Sequence, residues 1–195
     1  MKIINVIGSP RSSGNSATVA KMLLEKLPAE KAQVRTFQLN ELNYRGCQGC
    51  MACKTKFDQC VVKDDLTEVL EEIRISDVVL LGTPVYIGEI TAQTKGLIDR
   101  FYSYYLPDYL TNPKPGRLAP GKKLVFILSQ GNPDQNAYAD IIAKYTGYFG
   151  RLGFTNVYNI RALGMGPMGP ESDIRAVESV LQSINDTAHQ IVAGA

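Results

Sequence analysis

Five short apolar runs recur along the chain, and the segments between them carry apolar residues at helical spacing. The first run, Ile3 to Ile7, is unbroken and ends at Gly8, as expected of a central parallel strand covered on both faces. Val34 to Leu39 reads as a second, more amphipathic strand, followed by Val78 to Leu81, Leu124 to Leu128 and Val157 to Ile160. Helical stripes fall between them. Ala20, Leu23, Leu24 and Leu27 form one that Pro28 stops, and Leu66, Val69, Leu70 and Ile73 form another. Asp65 is the expected cap of that second helix, with Glu68 completing a capping box. Ile90, Thr94, Leu97, Ile98 and Phe101 make a third stripe, and Tyr138, Ile141, Ile142, Tyr145 and Phe149 a fourth. Ile174, Val177, Leu181, Ile184 and Ile191 make a fifth. Strict alternation of this kind predicts an α/β fold, a doubly wound parallel sheet with right-handed crossovers.

No linker interrupts the alternation, so residues 1–195 are expected to form one domain. The exception is Leu106 to Lys122, whose four prolines mark an insertion that could serve as a lid or a subunit contact. Tyr104, Tyr105 and Tyr109 beside it point to a contact surface or to packing of that lid. The 21 basic residues nearly balance the 19 acidic ones, leaving +2, and Lys54, Lys56 and Lys63 make only a small local basic patch. That balance argues against a nucleic-acid or membrane-surface partner. No apolar stretch is long enough to span a bilayer, and a cytoplasmic location is expected.

In open parallel sheets ligands bind beyond the carboxyl ends of the strands, where the strand order reverses. Three loops fall there. Gly8-Ser9-Pro10-Arg11-Ser12-Ser13-Gly14-Asn15-Ser16 joins a strand to a helix and combines hydroxyls, glycines and one arginine, the makings of a phosphate cradle. Neither GxxxxGK[ST] nor GxGxxG is present, and a terminal monophosphate fits the Ser and Asn donors best. The loop Gly82-Thr83-Pro84-Val85-Tyr86-Ile87-Gly88 offers a flat aromatic face and a close backbone approach. Ser129-Gln130-Gly131-Asn132-Pro133 adds amide donors. A planar ring with a polar edge and a phosphate tail, the shape of FMN, satisfies all three.

Every cysteine of the chain lies in Cys47-Gln-Gly-Cys50-Met-Ala-Cys53-Lys-Thr-Lys-Phe-Asp-Gln-Cys60. In a reducing compartment such a cluster points to metal ligands or redox thiols rather than disulfides. Three cysteines three apart with a longer arm to the fourth suit an iron-sulfur cubane, whereas zinc more often takes two separated C-x2-C knuckles. Metal-free thiols and zinc remain the alternatives. His189 is the sole histidine and reads as a surface or packing residue; Asp99 and Arg100 read as a structural ion pair or subunit contact. Met165 and Met168 could reach the ligand region or simply fill irregular space.

Gly8-Ser9-Pro10-Arg11 with Gly14-Asn15-Ser16, Thr83-Pro84-Val85-Tyr86, and Lys95 with Asp99-Arg100 resemble the signature of the NAD(P)H-dependent FMN reductases of the flavodoxin-like superfamily, over residues 1 to about 160. The C-x2-C-x2-C-x6-C spacing is similar to that of iron-sulfur flavoproteins, in which four compact cysteines hold a [4Fe-4S] cluster beside FMN. The resemblance implies a flavodoxin-like five-stranded sheet of order 2-1-3-4-5 and an FMN-dependent oxidoreductase or electron-transfer protein. It implies phosphate binding at Ser9, Arg11, Ser13, Gly14, Asn15 and Ser16. The flavin ring would lie against Thr83, Pro84, Val85, Tyr86, Ile87 and Gly88, with Ser129, Gly131 and Asn132 nearby, and Cys47, Cys50, Cys53 and Cys60 would hold the cluster. Homodimers or homotetramers follow in the same way; NAD(P)H is a possible donor, and electron counting between a hydride donor, FMN and a cluster makes ferredoxin or another small carrier a possible partner. One departure is Ile87, where many relatives carry an aromatic. The alternative function is a reductase of flavin, quinone or nitro compounds without a cluster.

Overall fold

The computed structural model describes residues 1–165, 174 and 177–193. Strands β1 (Lys2–Ile7), β2 (Gln33–Gln38), β3 (Val78–Tyr86), β5 (Lys123–Ser129) and β6 (Asn156–Ala162) form a parallel sheet of order β2-β1-β3-β5-β6. That is the expected 2-1-3-4-5 order of five parallel strands. A sixth, β4 (Glu89–Ile90), too short to leave a periodic signal, adds antiparallel to the end of β3.

Helices α1 (Asn15–Lys26) and α6 (Glu178–Ala193) cover one face of the sheet. Helices α3 (Leu66–Ile75), α4 (Ala92–Arg100) and α5 (Ala139–Leu152) cover the other, and α2 (Ala52–Thr55) is a single turn in the cysteine loop. Alternation along the strands decides which core each residue enters. Ile4, Val6, Val79, Leu81, Leu124 and Phe126 face α3 and α5, while Ile3, Val78, Leu80, Val125 and Ile127 face α1 and α6. Each fully buried aliphatic or aromatic side chain contributes about 1.5–3 kcal/mol relative to exposure, and two such layers explain why the central strands read as unbroken apolar runs. Among the described residues, no helix is long and apolar enough to cross a membrane.

Three local expectations need correcting. Asp65 makes no side-chain cap of α3; its carboxylate instead accepts from Asn43 N–H. Asp64 does the capping, accepting from Leu66 N–H through Oδ1 while its own N–H donates to Thr67 Oγ1. Glu68 is drawn away by Arg35 at 2.6 Å. Ile90 lies in β4, so the third stripe becomes helical only after Thr91, whose hydroxyl caps α4. Asp99 and Arg100 do not pair with each other: Asp99 pairs with Lys95 one turn earlier, and Arg100 with Asp64.

The proline-rich insertion is fastened to the body. Leu106 N–H donates to Pro115 O, Arg117 N–H to Tyr104 O, and Leu118 N–H to Leu152 O. Gly116 sits so close to Leu152 O that a Cβ there would lie 2.1 Å from it. Tyr104 is core rather than contact surface, its hydroxyl donating to Leu70 O at 2.6 Å. Tyr105 and Tyr109 pack with Tyr102 as a three-ring cluster against α5. His189 is an exposed residue of α6. Met165 is buried in the core beneath α6, and Met168 lies outside the described residues.

Candidate functional site

At the carboxyl end of β1 the chain turns into α1 through the first loop. Gly8 N–H donates to Gly82 O at 2.7 Å, fastening the loop to β3, and a Cβ at Gly8 would lie 1.8 Å from Thr94 Oγ1. Ser9 Oγ accepts from Arg11 N–H, and Gly14 N–H donates to Arg11 O, closing a tight turn. A Cβ at Gly14 would lie 2.9 Å from Ser9 Oγ, which is why that position is glycine. Arg11 and Ser13 are exposed at the loop's rim. Asn15 Nδ2 donates to Met165 O at 2.9 Å, so the Asn15 side chain fastens the loop to the segment after β6.

The N-terminus of α1 is left open. Gly14 occupies the cap position without a side-chain cap, and Ser16 Oγ is buried without a hydrogen-bond partner among the described residues. Leaving a buried hydroxyl unpaired costs about 1–3 kcal/mol, and the first N–H groups of a helix have no intrahelical acceptor. Unused donors and the positive end of the helix dipole at one point are what a phosphate requires. The residues therefore fit an FMN phosphate.

The second loop is shorter than the sequence indicates. Thr83, Pro84, Val85 and Tyr86 continue β3, Val85 and Tyr86 pair with Ile90 and Glu89, and the turn is Ile87-Gly88 alone. Both turn residues have left-handed backbone, with φ 48° and 76°, as a two-residue hairpin demands. Gly88 adopts this freely, whereas a β-branched residue there is strained, and Ile87 is fully exposed at the tip with no burial to offset it. Ile87→Asn is expected to raise the unfolding free energy by about 1 kcal/mol, read as a higher urea midpoint at unchanged slope. Tyr86 is half-exposed, and Tyr138 Cε1 lies 3.7 Å from a Cβ position at Gly88. Tyr138 itself has φ 61° at the start of α5, a feature no sequence signal marks.

The third loop is shaped by Gln130 and Arg161. Gln130 Nε2 donates to Asn132 O and Asp134 O, and Arg161 donates to Gln130 Oε1, Gln135 O and Ala137 O. Ser129 is buried at the end of β5, and Gly131 and Asn132 are exposed, with Asn132 Oδ1 turned inward to accept from Asp134 N–H. A buried chain of hydroxyls ties the first two loops together. Thr91 Oγ1 donates to Gly8 O at 2.6 Å and lies 2.9 Å from Thr94 Oγ1 and 3.3 Å from Thr83 Oγ1.

The four cysteines are free thiols that line one small cavity of about 20 Å³, Cys47 and Cys50 on its exposed side and Cys53 buried. Left-handed Gly49 (φ 63°) and Met51 (φ 59°) coil the segment that carries the first three. Among the described residues no three His, Cys, Asp or Glu side chains converge as ligands of a single ion must. A cubane is different, since its thiolates attach at separate corners around a volume. Lys54 is buried rather than part of a surface basic patch; Lys56 and Lys63 alone are exposed. Lys54 Nζ donates to Tyr102 O (2.6 Å) and Tyr105 O (2.8 Å), reaches Cys53 Sγ at 3.5 Å and lies 4.2 Å from the Tyr102 ring centre. Burial lowers its pKa from the usual lysine value, with Cys53 opposing that shift.

Arg100, buried in the core, donates from Nε to Cys60 Sγ at 3.0 Å, from Nη1 to Arg45 O and Asp64 Oδ2, and from Nη2 to Val62 O. By donor chemistry, four cysteine sulfurs around one cavity, two of them with N–H donors, fit an iron-sulfur group. Cys47 also borders a wider groove of about 580 Å³ with Tyr102, Tyr105, Tyr145, Tyr148 and Phe149, flanked by the Lys95–Asp99 and Lys144–Glu89 ion pairs.

Comparison with known proteins bears on these sites. An iron-sulfur flavoprotein of Archaeoglobus fulgidus is 35% identical over 169 residues, covering 87% of this chain and 66% of that protein. The chain spans 50–66% of the length of the iron-sulfur flavoproteins it matches first. An FMN-dependent NADH:quinone oxidoreductase of Azospirillum brasilense is 26% identical over 214 residues, covering 99% of this chain and 100% of that protein. Among solved structures, an NAD(P)H:quinone oxidoreductase from Methanothermobacter marburgensis superposes with a TM-score of 0.73 at 18% identity, covering 97% of this chain and 96% of the other, a likeness of fold. Residues 1–140, which hold the open helix end, the hairpin and the cysteine loop alike, match the NADPH-dependent FMN reductase family, and the chain belongs to that family.

Proposed function

We propose that this protein is an FMN-dependent oxidoreductase whose cysteine loop holds a [4Fe-4S] cluster and exchanges electrons with the flavin. The observation that carries the flavin assignment is the uncapped α1 N-terminus with buried, unpartnered Ser16 Oγ behind it. In this reading the phosphate is held by Ser9, Ser16 and the first N–H groups of α1, with Arg11 and Ser13 at the rim. The ring lies along Thr83 to Gly88, closed by Ser129, Gly131 and Asn132. Bound FMN supplies the conversion between two-electron and one-electron chemistry. The chain's own part is placement: the hairpin and the Gln130–Arg161 loop fix the walls and exclude water, and no side chain is assigned as acid or base. Cys47, Cys50, Cys53 and Cys60 hold the cluster, supported by their shared cavity and by the names of the archaeal relatives. A small one-electron carrier such as ferredoxin is the proposed partner in a cytoplasmic setting. In a homodimer or homotetramer, a second copy over the Cys47 groove would bring its flavin close.

A second reading, NAD(P)H-dependent reduction of flavin, quinone or nitro compounds without a cluster, is favoured by the full-length similarity to the Azospirillum brasilense enzyme. Anaerobic purification separates the two. Flavin absorption together with iron and sulfide supports the first, and Cys50→Ser is then expected to lose the iron while keeping the flavin. Flavin without iron, with rapid NADH or NADPH oxidation, supports the second. A colourless protein that binds no added FMN sinks both.

A further inference from the structure

The cysteine cavity has two charged side chains aimed at its sulfurs. Lys54 reaches Cys53 Sγ from inside the loop, and Arg100 reaches Cys60 Sγ from the end of α4. Both are buried, and both are held by backbone carbonyls: Tyr102 O and Tyr105 O for Lys54, Arg45 O and Val62 O for Arg100. Only Arg100 has a carboxylate partner, Asp64 at 2.9 Å; among the described residues no ion pair involves Lys54. A lysine kept out of water among carbonyls, a ring and a sulfur, with no acid beside it, carries a desolvation cost that a structural tie alone does not require. An anionic centre in the cavity would offset it.

We propose that Lys54 and Arg100 are positioning residues of the cysteine site, which turn Cys53 and Cys60 into the cavity and raise the reduction potential of the iron-sulfur group held there. The proposal rests on the reading that the four cysteines hold such a group. The sign follows from charge. Reduction adds one electron to an already negative thiolate-ligated centre, so buried cations and N–H donors at the sulfurs stabilise the reduced form more than the oxidised one. Arg100, with Asp64 beside it, serves mainly as a geometric clamp. Lys54, without an acid, supplies the larger share of uncompensated charge.

Lys54→Gln tests this, because glutamine keeps an N–H donor for Tyr102 O and Tyr105 O while losing the charge; Lys54→Arg restores the charge. The parent and both variants are reconstituted anaerobically with iron and sulfide. Metal and sulfide content are measured, and the cluster and FMN are titrated separately, by EPR signal and flavin absorption. The cluster midpoint of Lys54→Gln is expected to move to more negative potential, with the FMN midpoint unmoved and Lys54→Arg close to the parent. Iron content that falls in Lys54→Gln and returns in Lys54→Arg, with FMN binding intact, also supports the positioning role. A Lys54→Gln protein with full iron content and the parent's cluster midpoint overturns the proposal while the cluster reading stands. A parent that takes up no iron and sulfide overturns both.

Discussion

Arg100→Met is expected to lower the unfolding free energy by about 3–5 kcal/mol, the usual result of removing one partner from a buried ion pair. The guanidinium is fully covered and holds four groups at once: Cys60 Sγ, Arg45 O, Asp64 Oδ2 and Val62 O. Methionine fills similar space but leaves the Asp64 carboxylate without its cation and two carbonyls without a donor. Asp64 also caps α3, so the loss spreads to that helix. Urea unfolding at constant slope reads the effect, and Arg35→Met is the control. Arg35 makes bridges of 2.6 Å to both Glu68 and Glu72, yet it is exposed and screened by solvent, and its loss should move the urea midpoint far less. Equal losses in the two variants would refute the claim that burial, rather than bridge length, sets the difference.

Gly8→Ala is the second large effect. The new methyl would stand 1.8 Å from Thr94 Oγ1 and 3.1 Å from Gly82 O. Thr94 is fully buried and its hydroxyl is engaged by Thr91, so it has little room to yield. Overpacking of this kind costs about 1–3 kcal/mol, and the displaced loop should bind FMN at least about tenfold more weakly, a loss of about 1.4 kcal/mol. Adding Thr94→Ala removes the obstructing oxygen. Urea unfolding of the double variant should recover about 1 kcal/mol or more relative to Gly8→Ala alone, a coupling typical of residues in contact. No recovery would mean that contact with Thr94 is not what makes glycine necessary at this position.

Elements that bury two faces announce themselves in the sequence, because a strand covered on both sides has no polar position left to obscure it. Ile3 to Ile7 and Leu124 to Leu128 are such strands, and their alternation with helices implies the doubly wound sheet. The uncapped helix start is legible for a related reason: it is local, with Gly14, Asn15 and Ser16 adjacent in the chain. Features made by distant partners were not legible. Arg100 reads as an ordinary helix-terminal cation until the fold brings it to Asp64, Cys60 and Arg45. Asp64 and Asp65 are indistinguishable as caps by composition, and only the position of Asn43 assigns them different work. The β4 strand spans two residues, below the length at which any period can be counted. The burial of Lys54 was hidden because lysine rarely gives up solvent without an acid beside it.

The three threonines that join Gly8 O to β3 tie the loop after β1 and the hairpin after β3 into a single mechanical unit. Neither can peel away without breaking hydroxyl contacts that the other shares, so the two are expected to open together rather than separately. A small anion seated at the end of α1 would thereby slow amide hydrogen exchange in the hairpin as well, although it never touches those residues. In the proposed site, the tail of a nucleotide would in this way prepare the wall for its head.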